Sequence, residues 1–265
     1  MLYLSVGIAV YCGVLAFVLG ACMGSFLNCM SWRIVHQESV LRGRSHCDVC
    51  GHVLSALDLF PIFSYLVNRG RCRWCGARLS ARHLWAEVLT GVSYVLLLFK
   101  YDISLQALEA LLLASILLAS AFADLEGYII PDRFIVAGIL LRIPFFFCVG
   151  DWHRTLPDAL LGGFAVGGGL LAVVLFYEKL RKVDAMGGGD LKLLFVVGLY
   201  LGWAKNLLCL LFACLLGIVF ALATQKRRCA QENAKLFPWG PSICAAAIAA
   251  MLCGDWLIEA YLRLF

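Results

Sequence analysis

Long apolar runs dominate the chain, and short polar connections separate most of them. The first run extends from Leu2 to about Met30, and a polar stretch covers 31–83. Seven more runs follow, at about 84–99, 105–123, 134–149, 159–177, 191–203, 207–223 and 241–262. Because roughly 20 apolar residues cross a bilayer as a helix, this pattern predicts about eight transmembrane helices. The expected fold is an all-α integral membrane protein with a small domain inserted between helices 1 and 2.

Composition excludes an ordinary soluble domain. Of the 265 residues, 63% are hydrophobic and 15% are charged, whereas soluble domains have about 45–50% and 25%. The N-terminus has no basic region and no clear cleavage site, so the first run is interpreted as a retained span and not as a removable signal.

The basic residues fall mostly on one side of the predicted membrane. Alternate connections, at 31–83, 124–133, 178–190 and 224–240, hold 16 Lys and Arg residues, and the opposite connections and C-terminal end hold four. Cytoplasmic loops carry this excess, so the first set is predicted to be cytoplasmic, with both termini outside. The predicted domains are a first transmembrane helix at 1–30, a cytoplasmic domain at 31–83 and a seven-helix membrane domain at 84–265.

Four of the 13 cysteines form two Cys-x-x-Cys-Gly knuckles in the polar domain. They are Cys47 with Cys50, and Cys72 with Cys75, and 21 residues separate the pairs. Four thiolates at such spacing are typical of a tetrahedral zinc site, and four protein ligands leave no open position for catalysis. The prediction is therefore structural zinc. The alternative is two redox-active or adventitious cysteine pairs, although a cytoplasmic location disfavours structural disulfides.

Several arginines surround the knuckles: Arg69, Arg71, Arg73, Arg78 and Arg82. Such a cluster is compatible with nucleic-acid binding. Next to a membrane it more often faces anionic headgroups, which is the interpretation favoured here, and no nucleic-acid partner is expected.

Two aspartates at predicted cytoplasmic ends of spans are the candidates for chemistry. Asp124 lies in the segment Ala-Asp-Leu-Glu-Gly-Tyr-Ile-Ile-Pro-Asp, directly after a span, and Asp190 follows three glycines directly before another span. The topology places both on one face at similar depth. Two adjacent carboxylates that share one proton can activate water and polarise a scissile carbonyl, which is the chemistry of an aspartic dyad. The glycines would let an extended peptide backbone approach closely.

Each aspartate also has a structural interpretation. Asp190 is a favourable N-cap for a helix that begins at Leu191, and Asp124 suits an interfacial loop. Glu126, Asp132 and Asp184 are nearby substitutes, with Asp132 expected to start a helix after Pro131.

Other polar residues in the spans are given structural roles. Glu87 is expected to pair with a nearby arginine, and the Gly24-Ser25 step is expected to serve close helix packing. The sequence contains no His-Glu-x-x-His zinc-protease motif, so a metalloprotease lacks its ligands.

Taken together, these motifs resemble the type IV prepilin peptidases over nearly the whole chain. The matching segments, in order, are Gly24-Ser25-Phe26-Leu27-Asn28 with Arg33, the two knuckles, Asp58 to Leu66, Arg69 to Gly76, Glu87, Ala123 to Asp132, Gly187 to Lys192, and Phe237-Pro238-Trp239-Gly240-Pro241. In one departure, Gly188 stands where relatives often have a larger residue.

The resemblance implies an intramembrane aspartic protease of the G-x-G-D class, with Asp124 and Asp190 as its catalytic pair. It would cut the basic leader from type IV prepilins or pseudopilins at the cytoplasmic face of the bacterial inner membrane. It would then methylate the new N-terminus with S-adenosylmethionine, an activity that accompanies the four cysteines in the family. The residues that bind S-adenosylmethionine stay open, with Gly24 to Arg33 and the knuckle domain as candidates.

Two rival functions follow from the same residues. One is a proton-coupled membrane transporter with a regulatory zinc knuckle, although two matching halves with broken helices are not evident. The other is a scaffold that recruits partners through the zinc domain.

Overall fold

The computed structural model of the protein describes residues 5–40, 43–47, 49–55, 57–148, 152–181, 187–228 and 238–264. Over these residues the chain is helical and contains no β-sheet, only two isolated bridges. The chain packs as two compact units, Met1–Ile103 and Ser104–Phe265.

The first unit contains helices α1 (Val6–Val35), α2 (Phe63–Val67) and α3 (Ala81–Tyr101). Glycines let α1 and α3 approach each other closely. A Cβ atom on Gly24 would lie 2.7 Å from the Ala86 carbonyl oxygen, and one on Gly20 would lie 2.8 Å from the Gly91 Cα atom. The helix-packing role predicted for Gly24 is confirmed.

The polar insertion between α1 and α3 is built from two similar turns. In each, the first cysteine donates its N–H to the carbonyl five residues on, Cys47 to His52 at 2.9 Å and Cys72 to Ala77 at 2.8 Å. The glycine after each knuckle has a positive φ, +68° at Gly51 and +71° at Gly76. This left-handed conformation, which glycine adopts without strain, reverses the chain after the second cysteine.

The second unit contains the remaining helices. These are α4 (Leu105–Gly127), α5 (Asp132–Cys148), α6 (Trp152–Leu161), a π-helical segment (Gly162–Gly168), α7 (Gly169–Arg181), α8 (Gly188–Arg228) and α9 (Gly240–Leu262). α4 is the most enclosed of the candidate spans, because 67% of its apolar window is buried. α5 begins at Asp132, directly after Pro131, as predicted.

Helix α8 reverses direction at Gly202. This residue has φ +73° and ψ 179°, which no helix contains. Asn206 Nδ2 donates to the carbonyl oxygens of Gly162 at 2.9 Å and Leu194 at 3.2 Å. In a straight helix, residues 194 and 206 would be about 18 Å apart. The segments 188–201 and 203–228 are therefore two antiparallel arms.

Among the described residues, six helices are long and apolar enough to cross a membrane. The predicted number of about eight is consistent with this result, because α8 contains two arms and α5, of 17 residues, is a further short apolar helix. The predicted fold class, an all-α membrane protein with a cysteine cluster inserted between the first two spans, is confirmed.

Candidate functional site

Asp124 lies near the C-terminal end of α4, in the interior of the second unit. Its side chain is 5% exposed. The backbone N–H of Gly240 donates to Asp124 Oδ2 at 2.8 Å. Gly240 is the first residue of α9, so the carboxylate lies at the positive end of that helix dipole. The loop interpretation of Asp124 is wrong, because the residue is helical and buried.

The neighbouring residues hold the Gly240 N–H in position. Trp239 precedes the helix and donates its indole Nε1–H to the Ala213 carbonyl of α8 at 3.1 Å. Pro241, the second residue of α9, has no N–H and is suited to the first turn of a helix. The segment Pro238 to Pro241 thus presents one backbone donor to Asp124. Phe237, which the resemblance includes in this motif, lies outside the described residues.

Asp190 is the third residue of α8, and its side chain is half-buried. The helix begins at Gly188, two residues before Asp190, so the alternative interpretation of Asp190 as an N-cap is wrong. The carboxylate lies in the first helical turn, where a negative charge is favoured. Asp124 and Asp190 are close enough to interact electrostatically. The structure thus places within electrostatic range two acids that are 66 residues apart in the sequence.

Only one of the three glycines before Asp190 makes a close packing contact. A Cβ atom on Gly189 would lie 3.0 Å from Ile130 Cβ, which is in the connection between α4 and α5. A Cβ atom on Gly188 would meet nothing within 4 Å. Position 188 therefore has space for a larger residue, whereas position 189 does not.

The other acids near the pair have different surroundings. Asp132 forms an ion pair with Lys192 at 2.6 Å, and both side chains are more than half exposed. Glu126 is half-buried. Asp184 lies outside the described residues. The buried Cys244 thiol donates to the Leu117 carbonyl at 2.7 Å and lies near enough to both Asp124 and Asp190 to interact with them electrostatically.

The four knuckle cysteines form a second candidate site, in the first unit. Their Sγ atoms all lie within 4.8 Å of one another, and those of Cys47 and Cys75 are 3.9 Å apart. A tetrahedral zinc ion with Zn–S bonds of about 2.3 Å needs sulfur atoms about 3.8 Å apart. The cluster therefore fits a metal ion held by four thiolates.

Backbone amides of the first knuckle favour a thiolate. The N–H groups of Cys50 and Val49 lower the pKa of the Cys47 thiol to about 7. Hydrogen bonds to the charged form of a thiol stabilise that form, which is the form that binds metal.

Arg33 organises the entry to the knuckle domain. Its guanidinium donates to the carbonyl oxygens of Ser39, Val40 and Gly43, at 3.4, 3.4 and 3.2 Å. Arg33 was named in the sequence resemblance without a role, and this geometry gives it a structural one.

Two features were missed by sequence reasoning. One is the Gly240 N–H that faces Asp124, for which the Pro-Trp-Gly-Pro segment was the available signal. The other is the environment of Glu87, which is 7% exposed. Among the described residues, its carboxylate accepts from the Ile62 N–H at 2.7 Å and is hydrogen-bonded to Ser25, and does not pair with an arginine as expected.

Comparison with known proteins links both units to one group of enzymes. Residues 18–101 match the Bacterial Peptidase A24 N-terminal domain, and residues 111–222 match the Type IV leader peptidase family. No solved structure matches the chain significantly.

Three similar relatives are all called prepilin leader peptidase/N-methyltransferase. The protein of Myxococcus xanthus is 38% identical over 86% of this chain and 68% of its own length. The protein of Bacillus subtilis is 30% identical over 94% of this chain and 97% of its own length. The protein of Aeromonas salmonicida is 33% identical over 83% of this chain and 74% of its own length. These matches confirm the predicted resemblance and the enzyme class, a protease with a second methyltransferase activity, and do not support a transporter.

Proposed function

Because the chain belongs to the type IV leader peptidase family, we propose that it removes the basic leader of type IV prepilins or pseudopilins and methylates the new N-terminus. The observation that carries the proteolytic part is the electrostatic proximity of Asp124 and Asp190, each in the terminal turns of an apolar helix. The names of the relatives support the methylation.

The two aspartates divide the work of peptide hydrolysis. Asp124, whose Oδ2 accepts the Gly240 N–H, is the ionised member and takes a proton from the attacking water. Asp190 carries the shared proton and polarises the scissile carbonyl. The resulting tetrahedral intermediate collapses as the leaving amine gains a proton.

The open glycine segment is the place where the substrate backbone approaches. Gly187 and Gly188 are exposed, and no contact within 4 Å would obstruct a Cβ atom on Gly188. An extended peptide near a membrane has unpaired N–H and C=O groups that need polar partners or water. The exposed backbone at Gly187 and Gly188, beside Asp190, has N–H and C=O groups that can pair with those of the substrate.

The active site is on the cytoplasmic face of the inner membrane. The connections that flank both aspartates, at 124–133 and 178–190, belong to the Lys- and Arg-rich set, which marks the cytoplasmic side. A prepilin has its leader in the cytoplasm and its apolar helix in lipid, so its scissile bond lies at this depth. Glu126, Asp132 and Asp184 are the acids available to hold the basic leader.

The knuckle cluster holds structural zinc through Cys47, Cys50, Cys72 and Cys75. The sulfur separations suit tetrahedral coordination and leave no position for a substrate or water. The domain is too small to bury a substantial core, so the metal supplies part of its folding free energy.

S-adenosylmethionine, when bound, would supply the methyl group, attached to a sulfonium centre. The candidate segment Gly24 to Arg33 and the knuckles belong to one compact unit, Met1–Ile103. Ser25 and Asn28 give that segment polar groups at the knuckle-side end of α1. The described residues therefore offer donors and acceptors for a polar ligand.

Single substitutions test the proteolytic assignment. Asp124→Asn and Asp190→Asn are each expected to lower cleavage of a purified prepilin by about 10²–10⁴-fold, the usual contribution of a general acid or base. The assay is mass spectrometry of the pilin N-terminus after incubation with enzyme in detergent, which reports the cut site and methylation together.

Asp255→Asn is the matched control, because Asp255 is an acid of the same unit whose carboxylate forms an ion pair with Lys205 at 2.6 Å. It is expected to change cleavage much less than either dyad variant. Full cleavage by Asp124→Asn or Asp190→Asn would remove that residue from the mechanism. If the wild type yields no shortened product from a prepilin, the proposed proteolytic function is wrong.

A further inference from the structure

A polar cluster lies across the contact between α1 and α3, and the proteolytic mechanism does not use it. Ser25 and Asn28 come from α1, and His83 and Glu87 come from α3. Residues three or four apart share one helix face, so each helix presents a row of two polar side chains. The rows pair with each other: Ser25 is hydrogen-bonded to Glu87, and Asn28 Nδ2 lies 2.9 Å from His83 Nδ1.

The four side chains of the cluster differ in exposure. His83, near the start of α3, is exposed, and Ser25 is half-buried. Asn28 and Glu87 are 4% and 7% exposed. The cluster is thus open to solvent at His83, whereas Asn28 and the Glu87 carboxylate are buried. Glu87 lies about 9 Å along α3 from Ala81, the first residue of that helix.

The backbone of the knuckle domain fixes the position of that carboxylate. Ile62, directly before α2, donates its N–H to Glu87 Oε2 at 2.7 Å. Ile62 has φ +62° and ψ −51°, a conformation that a β-branched residue rarely adopts. Strained residues of this kind cluster at active sites and ligand clamps.

The charge of Glu87 is incompletely balanced. Its partners among the described residues are a hydroxyl and a backbone N–H, both neutral. A carboxylate at a membrane-spanning helix is costly unless a cation or a functional ligand accompanies it. The best complement to this carboxylate and the Ser25 hydroxyl is a small cation with several N–H donors, such as a primary ammonium group.

We propose that Glu87 and Ser25 bind the α-ammonium group of the cleaved substrate and that Glu87 removes its proton before methyl transfer. This assignment rests on the proposed function, which produces a new N-terminal amine and then methylates it. It places the amine-binding site in the unit Met1–Ile103 and gives the polar cluster a substrate: the free N-terminus of an apolar peptide.

The transfer is balanced in atoms and charge. The ammonium group gives one proton to the Glu87 carboxylate and becomes a neutral amine with a free electron pair. That pair forms the new N–C bond to the methyl carbon of a sulfonium donor. The S–CH₃ bond breaks, its electrons stay on sulfur as a thioether, and the product is an N-methylammonium ion. Glu87 then returns its proton to water.

Binding and methylation of a synthetic peptide test this assignment without the cleavage step. The probe is a short apolar peptide that begins with Phe, prepared with a free amine or with an acetylated N-terminus. We expect full-length protein in detergent to bind the free-amine form at least about tenfold more tightly, a difference of about 1.4 kcal/mol. Glu87→Gln should bind both forms equally and methylate the free form at least about 100-fold more slowly.

Ser93→Ala is the matched control, because Ser93 is a buried polar residue of α3 whose hydroxyl donates to Leu89 in its own helix. It should keep the preference for the free amine. The zinc content of the knuckle domain, which belongs to the same compact unit, and the Tm in detergent report whether each variant is folded. Should Glu87→Gln prove unfolded, Ser25→Ala takes its place and must reduce the preference.

Different results would contradict the methyltransferase function and the role of Glu87. If the wild type methylates no free-amine peptide, the proposed methyltransferase function fails. If the wild type methylates the peptide and Glu87→Gln keeps both methylation and the preference for a free amine, only the role of Glu87 is overturned.

Discussion

One backbone N–H group defines the surroundings of Asp124. Gly240 donates to its Oδ2 atom, and the absence of a Cβ atom lets the first turn of α9 lie against the carboxylate. A Cβ atom at this position would be 2.7 Å from Asp124 Oδ2 and 3.1 Å from Asp124 Cβ. Both distances are shorter than van der Waals contact, so either the carboxylate or the helix would have to move.

We therefore expect Gly240→Ala to impair cleavage without removing an acid. A displacement of about 1 Å in an active site can lower the rate by about 100-fold. The measurement is kcat for prepilin cleavage, determined beside Gly254→Ala. Gly254 lies in the same helix, and a Cβ atom there would meet Lys205 at 3.4 Å and Leu208 at 3.9 Å, both ordinary contacts.

Equal rates for the two glycine variants would mean that the close approach of α9 to Asp124 is not needed. A loss confined to Gly240→Ala would support a mechanism in which the hydrogen bond to Oδ2 holds the carboxylate in its productive orientation.

At the scale of elements, the reversal in α8 determines which helices meet. Gly202 adopts a left-handed φ, and its position is tightly enclosed: a Cβ atom would collide with the carboxylate of Asp158 from α6. Close beside it, Gly198 packs against Gly162. Asn206, in the second arm of α8, donates to the Leu194 carbonyl of the first arm and to the Gly162 carbonyl of the π-helical segment. One amide thus links both arms of α8 to that segment.

Gly202→Ala is expected to destabilise the protein. A backbone with φ +73° and ψ 179° lies in a region that is nearly confined to glycine and costs another residue about 1–3 kcal/mol. The displacement of Asp158 adds to that cost. Thermal unfolding in detergent should show a lower Tm. Gly169→Ala is the control, because a Cβ atom there meets nothing within 4 Å and its helical φ is −61°.

The control should leave the Tm unchanged or raise it, since alanine is favoured over glycine inside a helix by about 0.5–1 kcal/mol. A Gly202 variant as stable as the wild type would contradict the reversal of α8 at this residue.

At the scale of the whole molecule, the two candidate sites belong to different compact units. The cysteine cluster lies in Met1–Ile103, and Asp124 and Asp190 lie in Ser104–Phe265. All described contacts of the Asp124 carboxylate are made within its own unit. The two activities should therefore be separable by substitutions in one unit.

Cys72→Ser is expected to abolish zinc binding and to lower methylation far more than cleavage. Removing one of four thiolates leaves an incomplete tetrahedral site, and the small knuckle domain loses folding free energy that the metal supplied. Zinc content is measured by elemental analysis, and the modified pilin N-terminus by mass spectrometry. Cys22→Ser is the control, because Cys22 is an exposed cysteine of the same unit outside the cluster.

If Cys72→Ser lost cleavage but kept methylation, the division of roles between the units would be wrong. Zinc at wild-type stoichiometry in that variant would instead exclude the four-cysteine site.

The sequence by itself determined the helical membrane class and the knuckle motif, and it indicated Asp124 and Asp190 as the candidate pair. These follow from local properties: the length of apolar runs, the spacing of cysteines and the unusual cost of an acid at the end of a span. The spacing of Cys47, Cys50, Cys72 and Cys75 was sufficient because each pair lies in one short turn, and the structure brings the four sulfurs together.

Only the tertiary structure decided which groups surround those residues. Gly240 is 116 residues from Asp124, and Ile62 is 25 residues from Glu87, so no local pattern connects either pair. The alternative interpretation of Asp190 as an N-cap is wrong, because helix boundaries are weakly marked in a run of glycines and the helix begins at Gly188. Contacts between distant segments depend on how helices pack, and packing is a property of the folded chain as a whole.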